Sequence, residues 1–250
     1  MPPDPDPVLR LLWRHVLPAA EPAPKRGPRP KVSIDEVVTA AVELADTEGL
    51  AALSMRALAQ RLGIGAMSVY GYVASRNDLV VLMVDQVFGE TALPPMEGDL
   101  RARLRLVAEV QLADCRTHPW LLDVTGVRPW LGPNVGDRYE WQLSAVEGAG
   151  LPDVEMDQTV TLVTGFAANI ARAEHAVRRT ERESGMTDAE WWAANYEELT
   201  DVMSHRDWPL AGRVGSAAGE AYQAGTDPGR ELEFGLDRIL DGIEAYLSGR

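Results

Sequence analysis

Leu53–Val80 reads LSMRALAQRLGIGAMSVYGYVASRNDLV, and its punctuation decides the fold. Ser54 is placed to cap a helix running through Leu62, with Leu58 and Leu62 facing inward. Gly63 stops that helix, because glycine reaches the positive-φ conformation a tight exit needs. Only Gly63, Ile64 and Gly65 separate it from a second helix, expected over about residues 66–73. So short a connection forces a steep crossing, the helix-turn-helix arrangement. Ala59 is small where the two helices approach, and Ile64, Val69 and Val73 supply an apolar underside. Ser75, with Asp78 three residues on, opens a further helix to about residue 90.

The opposite arc of the second helix holds Met67, Ser68, Gly71 and Tyr72, with Tyr70 at its edge. That arc is free to enter a major groove. It carries no charge, and reading bases does not require one: phosphate contacts position a protein, while base edges specify sequence. The positioning cations are expected from Arg56, Arg61 and Arg76, and from an arm, KRGPRPK, with Lys25, Arg26, Arg29 and Lys31. Tyr70 and Tyr72 can donate to phosphate, Ser68 to phosphate or base, and Ala66 and Met67 can touch a thymine methyl. Gly71 would let backbone and DNA come close, against about 1 kcal/mol of lost helix propensity relative to alanine.

Working outward, residues 1–30 read as an extension. PAAEPAPKRGPRP is a semi-rigid Pro/Ala-rich arm, and VLRLLWRHVL before it is either a short docking helix or a loose tail. Order begins at Ser33, where SIDE spells a capping box and Val32 and Val37 stand as a hydrophobic staple. The domain so defined covers 31–90. Residues 91–250 form a second domain, helical in pattern, with helices expected near 98–117, 134–149, 155–184, 188–204 and 230–248. Strand signals are absent from the sequence.

The net charge is −14, unevenly spread. Residues 1–90 carry nine Lys and Arg against eleven Asp and Glu, and residues 91–250 carry 15 against 27. The acidity belongs to the second domain, where it aids solubility, keeps that face off DNA, or favours a cationic ligand. The opening MPPDPDP does not read as a signal peptide, no apolar run of membrane-spanning length exists, and Cys115 is alone. A cytoplasmic protein without membrane contact is expected. The four histidines lack ligand spacing and no nucleophile elbow or phosphate loop occurs, so no metal, cofactor or enzymatic activity is expected.

The Leu53–Val80 stretch resembles the DNA-binding domain of the tetracycline-repressor (TetR) family over about residues 32–90. The resemblance implies a helix-turn-helix from Ser54 to Val73, with Arg56 on a base edge. Gly65, Ala66 and Met67 would lie at the base-reading end, and Ser68, Tyr70, Tyr72 and Arg76 on phosphates. Gly65 and Ala66 depart from the family, whose tetracycline repressors carry longer polar side chains there. HPWLLDV, RPWLGPN and AGLPD are similar to the family's tetracycline-repressor type of C-terminal domain.

In that second domain DQTVTLVTGFAANIARAEHAV and ELEFGLDRILDGIEAYL are the two best interface helices. Their apolar stripes either join the domain core or pair with a second copy; the resemblance implies the latter. The candidate dimer residues are Val163, Ile170, Leu236, Ile239, Ile243 and Leu247. Six of seven tryptophans lie in this half, where aromatics either pack or line a ligand pocket. The candidate pocket residues are Gln111, His118, Trp120, Arg128, Trp130, Asn134, Trp141, Phe166, Asn169, His175, Trp192 and Tyr196. The expected fold is all-α: an N-terminal three-helix helix-turn-helix domain plus a larger C-terminal ligand-binding and dimerisation domain. The expected function is that of a ligand-responsive, sequence-specific transcriptional regulator, a repressor by family habit. It would bind a palindromic operator in double-stranded DNA as a homodimer and answer to a small-molecule effector. The alternative is a helical small-molecule binding protein with a vestigial helix-turn-helix.

Overall fold

The computed structural model describes residues 7–18, 32–124 and 131–249, and among them all regular structure is helical. Helix α1 spans Val8–Leu12 and α2 spans Ile34–Glu48. The capping box at the start of α2 is formed: the Ser33 hydroxyl accepts from the Glu36 amide, and the Glu36 carboxylate accepts from the Ser33 amide. Val32 packs on the same apolar cluster as Val37. Helix α3 (Met55–Leu62) starts at Ser54, which accepts from the Ala57 amide, and stops at Gly63 with φ 65°. The Ile64 amide returns to the Ala59 carbonyl at 3.0 Å, which closes the turn.

Helix α4 is shorter than the sequence implies. Regular helix covers Ala66–Val69, and the chain continues to Val73 as turns. Gly65 brings no capping side chain, and Gly71 weakens helix propensity. Packing holds the element instead, through the buried Val69 and Val73.

Helix α5 (Arg76–Glu90) is capped by Ser75 and buried without interruption from Leu79 through Asp85. A helix apolar on every side lies inside a protein. Here α2 packs on it from within the first domain, α7 (Pro133–Ser144) reaches it from the second, and α1 covers a third side. Of the two readings of VLRLLWRHVL, the short docking helix is the one present, as α1. Val8 and Leu12 belong to the first domain's core, because two apolar side chains one turn apart can seal the open flank of α5.

In the second domain α6 (Leu100–Thr117) runs along α8 (Asp153–Ser184), and α11 (Pro228–Ser248) closes over both. Leu104, Val107, Val160, Val163, Leu236 and Leu240 form the centre of this core. Four of the six residues expected at a dimer interface, Val163, Ile170, Leu236 and Ile243, are buried inside the protomer. Ile239 and Leu247 pack against the same core. For the four buried residues that expectation is corrected: Leu236 and Ile243 on α11, like Val163 and Ile170 on α8, serve their own chain. Arg101 and Arg105 on α6 strengthen the seam by pairing with Asp237, Glu244 and Glu233 of α11.

Helices α9 (Asp188–Ser204) and α10 (Pro209–Tyr222) bury no residue at all. The second was not expected, because PLAGRVGSAAGEAY carries three glycines and no apolar stripe wide enough to mark a helix.

Candidate nucleic-acid interface and the domain junction

The α3–α4 turn presents one face outward. Gly65, Ala66, Met67, Ser68, Tyr70 and Gly71 are exposed, Met67 at 81% and Tyr70 at 50%. Arg56 is exposed on the first turn of α3 and has no hydrogen-bond or ion-pair partner among the described residues. In a chain with 38 Asp and Glu, none falls between Gly49 and Asn77. A face of hydroxyls, a thioether and the free cation of Arg56, with no carboxylate in this stretch of chain to repel phosphate, is suited to a polyanion.

Three residues expected to meet phosphate turn out to have partners inside the protein. The Arg76 guanidinium donates to the carbonyls of Leu53, at 2.8 Å, and Leu50, at 2.6 Å. These carbonyls belong to the short 3-10 turn (Leu50–Ala52) and its exit; the Leu50 carbonyl also accepts from the Leu53 amide at 3.2 Å. Tyr72 is half-buried and donates its hydroxyl to the Val32 carbonyl at 2.8 Å. Arg61 pairs with Glu43 of α2 at 2.9 Å. Arg76 and Tyr72 are therefore corrected to scaffold residues: one fixes the entry to α3, the other ties α4 to the start of α2. The arm residues Lys25, Arg26, Arg29 and Lys31 lie outside the described residues, as do Arg128 and Trp130.

The second half of the site is the junction between domains, built on carboxylates of the first domain. Asp85, buried within α5, accepts from the amides of Asn134 and Val135, both at 3.0 Å. It thereby caps the N-terminus of α7, while the Asn134 side-chain amide donates to the Asp85 carbonyl at 2.9 Å. Gly132 is obligatory here, since a Cβ at that position would overlap the Asp85 carboxylate. Burial pushes the Asp85 pKa up, against the pull of the two amides. Asp46, near the end of α2, accepts from the Trp120 indole at 2.8 Å and stands 2.8 Å from His118 Nδ1. Trp120 is 2% exposed and sits in the first domain's core although it lies beyond α5, within residues 91–250.

A third tie crosses the exit of α5. Thr91 donates to Asp114 at 2.6 Å, and the fully buried Arg138 pairs with Asp114 at 3.0 Å. The Arg138 guanidinium also lies 5.2 Å from the Phe88 ring centre and 5.9 Å from that of Trp141. On the outer side, Trp13 donates its indole N–H to the Leu131 carbonyl at 2.8 Å, and Arg14 forks onto Asp35 at 2.9 and 2.6 Å. Burial opposes the charge on Asp35, but the bonds from Arg14 and His15 outweigh it and hold its pKa below the ordinary range. Asp46, Asp85, Asp114 and Arg138 were absent from the sequence reading, and no local spacing marks them.

These ties reassign several expected ligand residues. His118, Trp120 and Asn134 are junction residues, because each spends its polar atoms on a first-domain carboxylate. Trp141 donates to the Pro94 carbonyl, and Phe166 packs in the core against Gly235 of α11. Asn169, Trp192 and Tyr196 are exposed. Gln111 lines a cavity of about 330 Å³ between α5, α6, α7 and α8. His175 borders a separate, open cleft of about 640 Å³ between the end of α2 and the far half of α8.

A capped helix-turn-helix, a charge-sorted outward face and an appended helical domain clamped to α5 define a DNA-binding transcriptional regulator. The comparisons narrow this to one family. Residues 37–83 match the model for bacterial regulatory proteins of the tetR family, and residues 93–247 match the tetracyclin repressor-like C-terminal domain. The chain belongs to the TetR family. It is 39% identical over 245 residues to the HTH-type transcriptional repressor DrrR1 of Streptomyces coeruleorubidus, covering 97% of this chain and 87% of that one. An HTH-type transcriptional regulator of Saccharopolyspora erythraea is 32% identical over 224 residues, covering 86% and 89%. Among solved structures, apo ActR of Streptomyces coelicolor matches with a TM-score of 0.70 at 25% identity, over 89% of this chain and 99% of that one. ActR in complex with actinorhodin matches at 0.68 and 26%, over 87% and 99%.

Proposed function

We propose that the protein is a repressor that binds a palindromic operator as a homodimer and releases it when a small molecule enters the second domain. The observation that carries this is the position of α5. It continues directly from the α4 turn, and its buried flank is fastened to α7 through Asp85. A ligand that prefers one arrangement of α6, α7 and α8 therefore biases where α4 stands. The relatives support the sign and the trigger: DrrR1 is named a repressor, and ActR has been solved with actinorhodin bound.

Dimerisation is assigned to faces the protomer leaves open. On α8 these are Val154, Leu162, Gly165 and Asn169, and on α11 Phe234, Gly242 and Ala245, all exposed. They lie opposite the buried stripes on the same helices, at helical spacing. One short α4 offers few contacts, and two copies on a two-fold axis read a palindrome together. Base contacts are assigned to Arg56, Ala66 and Met67, and phosphate contacts to Ser68, Tyr70 and the arm. Selection of genomic fragments by the purified protein tests the reading. A recovered palindrome bound with steep salt dependence supports it, and no enrichment of any fragment defeats it.

A further inference from the structure

The cavity between α5, α6, α7 and α8 sets a few polar side chains into an apolar wall. Its walls are mostly apolar, with Val84 and Phe88 from α5 and Val135 from α7. Its polar lining consists of Gln111, Cys115 and Arg172. Burial pushes the Cys115 thiol pKa up, so the sulfur stays a neutral thiol, and it accepts from the Gln111 amide at 3.4 Å. The Gln111 side-chain carbonyl is left uncommitted among the described residues.

Arg172 is the exception in this neighbourhood. Glu174, two residues along α8, is taken by Arg116 at 2.6 Å and approached by Arg178 at 3.6 Å, both from guanidinium groups. Arg172 has no carboxylate within ion-pair distance among the described residues. Among the described residues its one hydrogen bond is a 3.5 Å contact to the Leu122 carbonyl, at the limit of such bonds. Arg172 is solvent-exposed where it lines this mostly apolar cavity, so its guanidinium is hydrated and free to exchange water for an anion that enters.

We infer that this cavity takes an aromatic acid. Its anionic group pairs with Arg172, its rings lie against Phe88 and the two valines, and a donor on the ring system can reach the Gln111 carbonyl. At about 330 Å³ the site falls at the small end of ordinary ligand pockets. The assignment deepens the reading of a ligand-released repressor and rests on it for its regulatory meaning. Val84 and Phe88 lie on α5, one on each side of Asp85 along the helix, so an occupant presses on the element that carries α4.

The full chain tests this with two fluorescent probes of one shape, 1-anilinonaphthalene-8-sulfonate and the neutral N-phenyl-1-naphthylamine. The sulfonate is expected to bind at least tenfold more tightly. Arg172→Gln is expected to remove that preference, leaving the neutral probe within about twofold. Ala168→Trp, which fills the cavity from α8, is expected to weaken both probes, in a variant whose thermal melt confirms folding. Equal affinity for the two probes, or a preference that survives Arg172→Gln, overturns the inference. Probe binding undiminished in folded Ala168→Trp also overturns it, because the probes then sit elsewhere. A charge preference retained by a protein that selects no DNA fragment defeats the repressor reading and leaves the cavity's chemistry standing. Equal probe binding by a protein that holds its operator does the reverse.

Discussion

The surface of α4 and the surface of α9 both leave large side chains in solvent. Met67 and Tyr70 are 81% and 50% exposed on the first; Trp191, Trp192 and Tyr196 are 42%, 43% and 68% exposed on the second. Their electrostatics are opposite. No carboxylate falls between Gly49 and Asn77, whereas α9 carries Asp188, Glu190, Glu197, Glu198 and Asp201 and no Lys or Arg. Phosphate is welcome on the first surface and repelled by the second. A net charge of −14 says little about where DNA lies; the local gap in the acids says more.

The comparison breaks most sharply by moving one charge. Ser68→Glu places a carboxylate on the α4 face, and operator affinity is expected to fall by at least about a hundredfold in a gel shift, with the fold unchanged. Exchanging Glu197 and Glu198 for Gln is expected to leave DNA affinity within about twofold. Equal effects at both surfaces would erase the distinction drawn between them.

Next in size, Leu162→Glu with Phe234→Glu charges the open faces of α8 and α11. Sedimentation is expected to show monomers, with operator affinity reduced at least about tenfold through lost avidity. Leu236→Ala lies on the buried side of α11 and separates association from folding. It should cost about 2–5 kcal/mol of stability and leave the association state of the folded fraction alone.

Arg76→Ala sharpens the split between scaffold and contact. The Leu53 carbonyl loses its guanidinium donor and the Leu50 carbonyl loses one of two, so a stability loss of about 1–3 kcal/mol is expected in chemical denaturation. Arg56→Ala should instead leave stability within about 0.5 kcal/mol and weaken operator binding about tenfold. The smallest effect concerns Glu174, whose pKa is lowered chiefly by its bond to Arg116. A lowered carboxylate contributes stability above its unfolded pKa and loses it as pH falls through the folded value. Glu174→Gln is expected to flatten the acid limb of stability below the ordinary glutamate range, by less than about 1 kcal/mol, because Arg116 is half-exposed.

Local signals carried the first domain. Ser33, Ser54 and Ser75 cap within three residues of themselves, and Gly63 turns the chain by its own backbone freedom, so the starts of α2, α3 and α5 and the end of α3 were legible. Tyr72 and Arg76 were misjudged for the opposite reason. Their partners, the carbonyls of Val32, Leu50 and Leu53, lie 23 to 40 residues away in sequence. The stripe on α11 was legible as a stripe, yet spacing alone cannot say whether its partner is α6 and α8 or a second chain. Asp85 was invisible because a carboxylate inside an apolar run looks like an error until Gly132 and Asn134 arrive to meet it.

By itself, then, the sequence determined the helix-turn-helix, its uncharged face and the separation of acidic from carboxylate-free surface. Those properties reside in near neighbours along the chain and in composition. Tertiary structure decided which polar side chains remain available. Hydrogen-bond donors committed to buried acceptors cannot also serve a ligand or a phosphate, and that commitment depends on residues brought together only by folding. It removed Tyr72 and Arg76 from the phosphate-facing set and His118 and Asn134 from the pocket set, and it left Arg56 and Arg172 without carboxylate partners among the described residues.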